Sequence, residues 1–202
     1  MSRLAPPIPV LCLASSSPRR RELLVQIGVA HEVDPADIDE ARLPQEPPHA
    51  YVMRLARAKA LEVHARRPER PVLAADTAVV LDDAVFGKPR DRGEGLSMLA
   101  QLCGRAHRVL TAVALVTGAG LTSALSESTV RLRVSTEAER AAYWDTAEPC
   151  DKAGAYAIQG LGAVFVESLE GSFSGVMGLP LFETARLLSG AGVPWWSSRG
   201  RP

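Results

Sequence analysis

Residues 8–29, IPVLCLASSSPRRRELLVQIGV, set the pattern for the chain. Ile8 to Ala14 is a short unbroken apolar run and reads as a buried strand. Ser15, Ser16 and Ser17 end it. Pro18 then suits the first position of a helix, with Ser17 placed to cap it and Gly28 to close it. Residues 30–34 read as a second strand, and 35–48 as a polar, acidic, proline-marked loop.

The alternation continues outward from there. From about Pro48 to Arg67, Tyr51, Val52, Leu55, Ala58 and Val63 recur at helical spacing. PVLAADTAVVLD, 71–82, reads as a strand with an acid in its middle, and Gly87-Lys88-Pro89 as a loop before a helix at about 91–102. Segments 107–117 and 121–134 are β-rich and joined by Gly118-Ala119-Gly120, which predicts a hairpin. Thr136 and Glu139 match a capping box for a helix through Tyr143 and Trp144. A glycine-punctuated loop at 149–163, a strand pair near 163–177 and a helix from about Leu179 to Leu188 complete the reading. Strands alternating with helices in this way predict an α/β fold with a mixed twisted sheet and flanking helices. Residues 1–202 are expected to form a single domain, with 1–7 and 191–202 as tails.

Composition narrows the function. Hydrophobic residues make up 47% and charged residues 23%, a globular balance. Lys plus Arg and Asp plus Glu are both 23, which removes the general electrostatic case for a duplex nucleic-acid binder or a polybasic membrane protein. A local basic cluster for a small anion is still allowed. Cys12, Cys103 and Cys150 are sparse and lack CxxC spacing, so a reducing cytosol is expected instead of a disulfide framework or a zinc knot. No apolar run approaches the ~20 residues of a membrane span, and no signal peptide is read in the first residues. The 23 basic residues divide into 20 Arg and 3 Lys. Arg serves wherever a solvated charge suffices, so Lys59, Lys88 and Lys152 stand out: a compact ammonium fits sites that a planar guanidinium does not.

Five places carry chemistry. The strand–SSSPRR–helix junction offers free N–H groups, the positive dipole end, the Ser15 and Ser17 hydroxyls, and Arg19 and Arg20, which together suit a phosphate. The same signature also describes a capped helix with an exposed basic first turn. Asp76, inside an apolar strand, needs a partner or a cation, unless it sits at a strand end and bonds a local turn. Asp37, Asp39 and Glu40 form either a solvated loop or, near Asp76, a hard oxygen site suited to Mg²⁺. Lys88 is held by Pro89. Finally, Asp151-Lys152-Ala153-Gly154-Ala155-Tyr156 with Gln159-Gly160 is either a tight loop or a close-approach surface with an amide for a base edge. The chain lacks GxxxxGK[ST] and a strand-following GxGxxG, and its histidines show no metal-ligand spacing.

Taken together, ASSSPRRRELL at 14–24, ADT at 75–77, GKP at 87–89, EPCDKAGAYAIQG at 148–160 and GLP at 178–180 resemble the Maf family of nucleotide pyrophosphatases, over about residues 8–190. The resemblance implies a mixed α/β sheet with two lobes around a cleft, similar to the inosine triphosphate pyrophosphatases. It also implies a hydrolase that cuts nucleoside triphosphates to monophosphate and pyrophosphate with a divalent metal, Mg²⁺ or Mn²⁺. By the same resemblance, Asp76 matches the proton acceptor, and Ser15, Arg20, Glu40, Lys59 and Lys88 line the phosphate and metal site, with Glu40 and Asp76 on the metal. Arg19, Thr77 and Gln159 match the positions of base specificity, and Arg, Thr and Gln there resemble the dTTP and UTP branch. The 7-methyl-GTP branch carries an aromatic and an acid at the first and last of these. The family's older association with septum formation leaves a nucleotide-binding regulator as the reading from another class. Ala112, where a Gly is common, and Ser174-Gly175 depart from the family pattern. The expected partners are the triphosphate and a second copy in a homodimer, with no nucleic acid and no membrane, in the cytoplasm.

Overall fold

The computed structural model describes residues 11–196. Its central strand is β3, Val72–Leu81, whose sequence is apolar on both faces and which is accordingly buried along most of its length. Around it run β1, Leu11–Leu13, then α1, Pro18–Gln26, β2, His31–Val33, and α2, Pro48–Arg66. After β3 come β4, Ala84–Phe86, α3, Arg92–Leu102, β5, Ala106–Thr117, and β6, Gly120–Leu132. Then follow α4, Glu137–Asp145, β7, Val166–Glu170, α5, Phe173–Met177, and α6, Leu181–Gly190. The sheet has seven strands in the order β2-β1-β3-β5-β6-β7, with β4 paired to β3 off that path. β1 runs parallel to both β2 and β3, and the other pairings are antiparallel, so the sheet is mixed.

Two features of β3 make the cleft. On one face Ala74, Ala78 and Val80 pack under α2, against Val52, Ala56, Ala60 and Val63. On the other face the odd positions feed two different cores. Leu73 and Ala75 join Leu23, Leu24 and Leu188 from α1 and α6, while Val79 and Leu81 join Leu99, Leu102 and Tyr143 from α3 and α4. Thr77 lies between the two cores. Along its edge, β3 pairs with β1 only at Val72 and Leu73 and with β4 only at Val79 to Leu81. Ala74 to Ala78 therefore lack a strand neighbour on that side among the described residues.

Several expectations need correction. The predicted strand pair near 163–177 is one strand, β7, followed by the short helix α5. The Ser172 hydroxyl accepts the Gly175 N–H at 2.9 Å to start that helix, and Gly178 ends it at φ 115°. Strand β4 has no counterpart in the sequence pattern; Asp82 turns the chain into it with φ 53°. Ser17 stands at the cap position of α1, but its side chain makes no cap bond. The described part of the tail expected from 191 is packed on the fold: Val193 is buried, and the Trp196 N–H donates to the Ile27 carbonyl at 2.7 Å. Ile8 to Val10, residues 1–7 and residues 197–202 lie outside the described residues. The expected capping box on α4 is present, with both of its bonds. Among the described residues no helix is long and apolar enough to cross a membrane.

Candidate active site

A cavity of about 460 Å³ opens against the unpaired stretch of β3. Asp76 and Thr77 both line it, although alternation sends their side chains to opposite faces. The missing edge neighbour is what lets one cavity reach both.

The floor is an ion-pair cluster. Lys59, on the buried face of α2, places its Nζ 2.7 Å from Asp76 Oδ1 and 2.8 Å from Glu40 Oε1. Lys59 and Asp76 are both more than nine-tenths buried. Burial pushes the Asp76 carboxyl above its usual pKa, opposed by Lys59 and Arg20 and reinforced by Glu40. By its spacing Tyr51 belongs to the apolar stripe of α2. It lines the cavity instead, and its hydroxyl donates to the Glu40 carbonyl at 3.0 Å. Asp39 accepts the Ala41 N–H at 2.8 Å and shapes the loop. Of the acidic trio, only Glu40 reaches the cavity.

The wall is the start of α1. Arg20 donates from Nη1 to the Ser15 hydroxyl at 3.0 Å, from Nε to the Gly178 carbonyl at 2.8 Å and from Nη2 to the Thr77 hydroxyl at 3.4 Å. Burial pushes its pKa down, with Asp76 the chief opposing charge. Thr111 spends its single hydroxyl proton on the Gly175 carbonyl at 2.7 Å, so Thr77 donates to Thr111 across 3.0 Å. Arg20, Thr77, Thr111 and Gly175 thus form one directed chain that pins the guanidinium to the 172–178 turn. Nothing in the local sequence marks Thr111; its neighbour Ala112 is buried and pairs with Asp76 across the ladder. Ser174 accepts the Leu181 N–H at 3.0 Å, so both departures from the family pattern are in ordered, bonded positions.

The rim comes from two loops. Lys88 is exposed and forms no ion pair among the described residues. Arg19 pairs with Asp151 at 3.3 Å, and Asp151 also pairs with Lys152. Gln159 stands exposed beside Ile158. Lys59, Lys88 and Lys152, the only lysines in the chain, all line this cavity. So do Ser15, Arg19, Arg20 and Gln159, which brings them to one place with Glu40, Asp76 and Thr77.

Among the described residues no group of three or more His, Cys, Asp or Glu side chains is placed to hold a metal by itself. Glu40 and Asp76 nevertheless converge on one ammonium. The ammonium fills the point between them, so a Mg²⁺-type ion would draw on the carboxylate oxygens that Lys59 leaves free, keep several waters and take its remaining ligands from substrate phosphates.

Known proteins give the following likenesses. The family model for Maf-like proteins matches residues 10–191. A Burkholderia pseudomallei protein named dTTP/UTP pyrophosphatase is 51% identical over 202 residues, covering 94% of this chain and 97% of its own. A protein of the same name from Methylobacillus flagellatus is 53% identical over 183 residues, covering 90% of this chain and 92% of its own. The solved structure of the Staphylococcus aureus Ham1 protein overlaps 62% of this chain and 71% of its own at 12% identity, with a TM-score of 0.41.

Proposed function

This chain belongs to the Maf-like protein family, and from that premise we propose that it hydrolyses dTTP and UTP to the nucleoside monophosphate and pyrophosphate. The observation that carries the reading is Asp76: a buried carboxylate with one oxygen on Lys59, set in a cavity walled by cations.

Lys59 holds Asp76 Oδ1, so Oδ2 is the oxygen left to face the attacking water, directly or through a bound cation. A pKa raised by burial makes this carboxylate a stronger base than a solvated one. In the proposed reaction a water oxygen bonds to the α-phosphorus, the bond from that phosphorus to the bridging oxygen breaks, and Asp76 receives the water's proton. Pyrophosphate leaves with added charge. Lys59, Lys88, Arg20 and the N–H groups at the start of α1 are the donors available to stabilise it. A divalent cation held by Glu40 and Asp76 with phosphate oxygens would supply Lewis-acid polarisation of the phosphate. Arg19, Thr77 and Gln159 are assigned to the base, and Gln159 offers both a donor and an acceptor to the O4/N3–H edge of thymine and uracil. The three free cysteines suit a reducing cytosol, and the expected working form is a homodimer.

Initial rates on dTTP, UTP, GTP and 7-methyl-GTP, with pyrophosphate detection, test this reading. The first two should be turned over fastest, each releasing one pyrophosphate. A preference for either guanine nucleotide overturns the assignment.

A further inference from the structure

Gln159 sits in a tight turn, 157–160, in which the Gly160 N–H donates to the Ala157 carbonyl at 3.4 Å. Two side chains outside the cavity fix that turn. The Tyr143 hydroxyl donates to Glu148 Oε1 at 2.7 Å, and Glu148 also accepts the Leu161 N–H at 2.9 Å and the Gly162 N–H at 2.9 Å. The Tyr143 oxygen in turn accepts the Ala157 N–H at 3.1 Å. One backbone donor before Gln159 and two after it thus end on this pair. The fit is closed: a Cβ at Gly160 would overlap the Glu148 carboxylate, and one at Gly162 would overlap the Tyr143 hydroxyl. Burial alone would raise the Glu148 carboxyl, but the bonds from Tyr143, Gly162 and Leu161 outweigh it and hold the group below the usual range. It is therefore ionised at neutral pH, with both oxygens acting as acceptors.

We infer that Glu148 and Tyr143 are positioning residues for base selection, fixing the turn that presents Gln159 to the thymine or uracil edge. The inference rests on Gln159 being the residue that faces the base. Neither Glu148 nor Tyr143 lines the cavity, so their influence passes through the turn. A carboxylate suits the task because it is acceptor-only. An amide would set an NH₂ against a backbone N–H and release one side of the turn.

The test measures kcat/KM on dTTP and GTP for Glu148→Gln, Tyr143→Phe and Gln159→Ala, and for the first two combined with the third. Tyr143→Phe keeps the ring packed on Phe165, so it serves if Glu148→Gln does not fold. The dTTP-to-GTP preference should fall about tenfold in each folded single variant, mostly through a higher KM for dTTP. In the Gln159→Ala background neither substitution should change the preference further. An unchanged preference in folded Glu148→Gln or Tyr143→Phe, while Gln159→Ala collapses it, overturns the positioning role alone. So does a full additive loss in the double variants. If Gln159→Ala itself leaves the preference unchanged, the base-facing role of Gln159 falls first, and this inference falls with it.

Discussion

The floor of the cavity and its rim are built in opposite ways. Asp76, Lys59 and Arg20 project from a ten-residue strand, a nineteen-residue helix and the first turn of another helix. Lys59 and Asp76 are buried and paired at 2.7 Å, and Arg20 is tied to Ser15, Thr77 and Gly178. Lys88 and Gln159 are exposed, and they sit on loops held by turns and a carboxylate. Chemistry needs groups whose position and pKa are fixed before substrate arrives, and regular elements supply that. Selection among bases needs a surface that differs between relatives without disturbing the core, and loops supply that.

The sharpest way to break this contrast is at the floor. Asp76→Asn keeps the shape and removes the proton acceptor, and turnover should fall at least ~100-fold. The fold should survive, because Glu40 still pairs with Lys59 at 2.8 Å. The pH–rate profile gives a second readout. Turnover in the parent enzyme should drop as pH falls through the raised Asp76 pKa, since the protonated carboxyl takes no further proton. Near-normal turnover in the variant would remove Asp76 from the mechanism.

At the rim the expected effect is selective. Gln159→Glu replaces a donor–acceptor pair with acceptors only. It should lower kcat/KM for dTTP and UTP roughly 5- to 150-fold, the range for one unsatisfied group, while thermal stability changes little. An unchanged dTTP-to-GTP ratio would mean that Gln159 does not read the base.

The smallest effect belongs to Lys88. Lys88→Arg keeps the charge but widens the head group. Kinetics should be impaired if the ammonium fits a phosphate pocket, and less so than in either variant above. Wild-type rates would return Lys88 to the class of solvated surface charges.

The contrast also explains how far the sequence could be read. The floor is legible because its residues contradict their surroundings: an acid amid LAADTAVV, and Lys59, one of three lysines in a chain that otherwise uses arginine. Residue chemistry and local pattern were enough to mark them, and the family resemblance then assigned roles. The hairpin of β5 and β6 and the capping box were likewise local signals. What the sequence hid depends on long-range pairing. Thr111 looks like an ordinary strand residue until β5 is laid beside β3 and Gly175 is brought over it. Tyr51 fits the apolar stripe of α2, and only the packing of the 35–41 loop turns it toward Glu40. The sequence of α5 reads as strand because Phe173, Val176 and Met177 favour either state, and the Ser172 cap decides between them.

The site of attack is the claim on which the roles of Asp76, Lys59 and Lys88 all depend. Hydrolysis of dTTP in ¹⁸O-labelled water, with products separated and their phosphorus spectra recorded, reads it directly. Attack at the α-phosphorus predicts dTMP carrying one ¹⁸O on its phosphate and unlabelled pyrophosphate. Labelled inorganic phosphate with dTDP, or label in the pyrophosphate, would show that water meets a different phosphorus and that the triphosphate lies in another register.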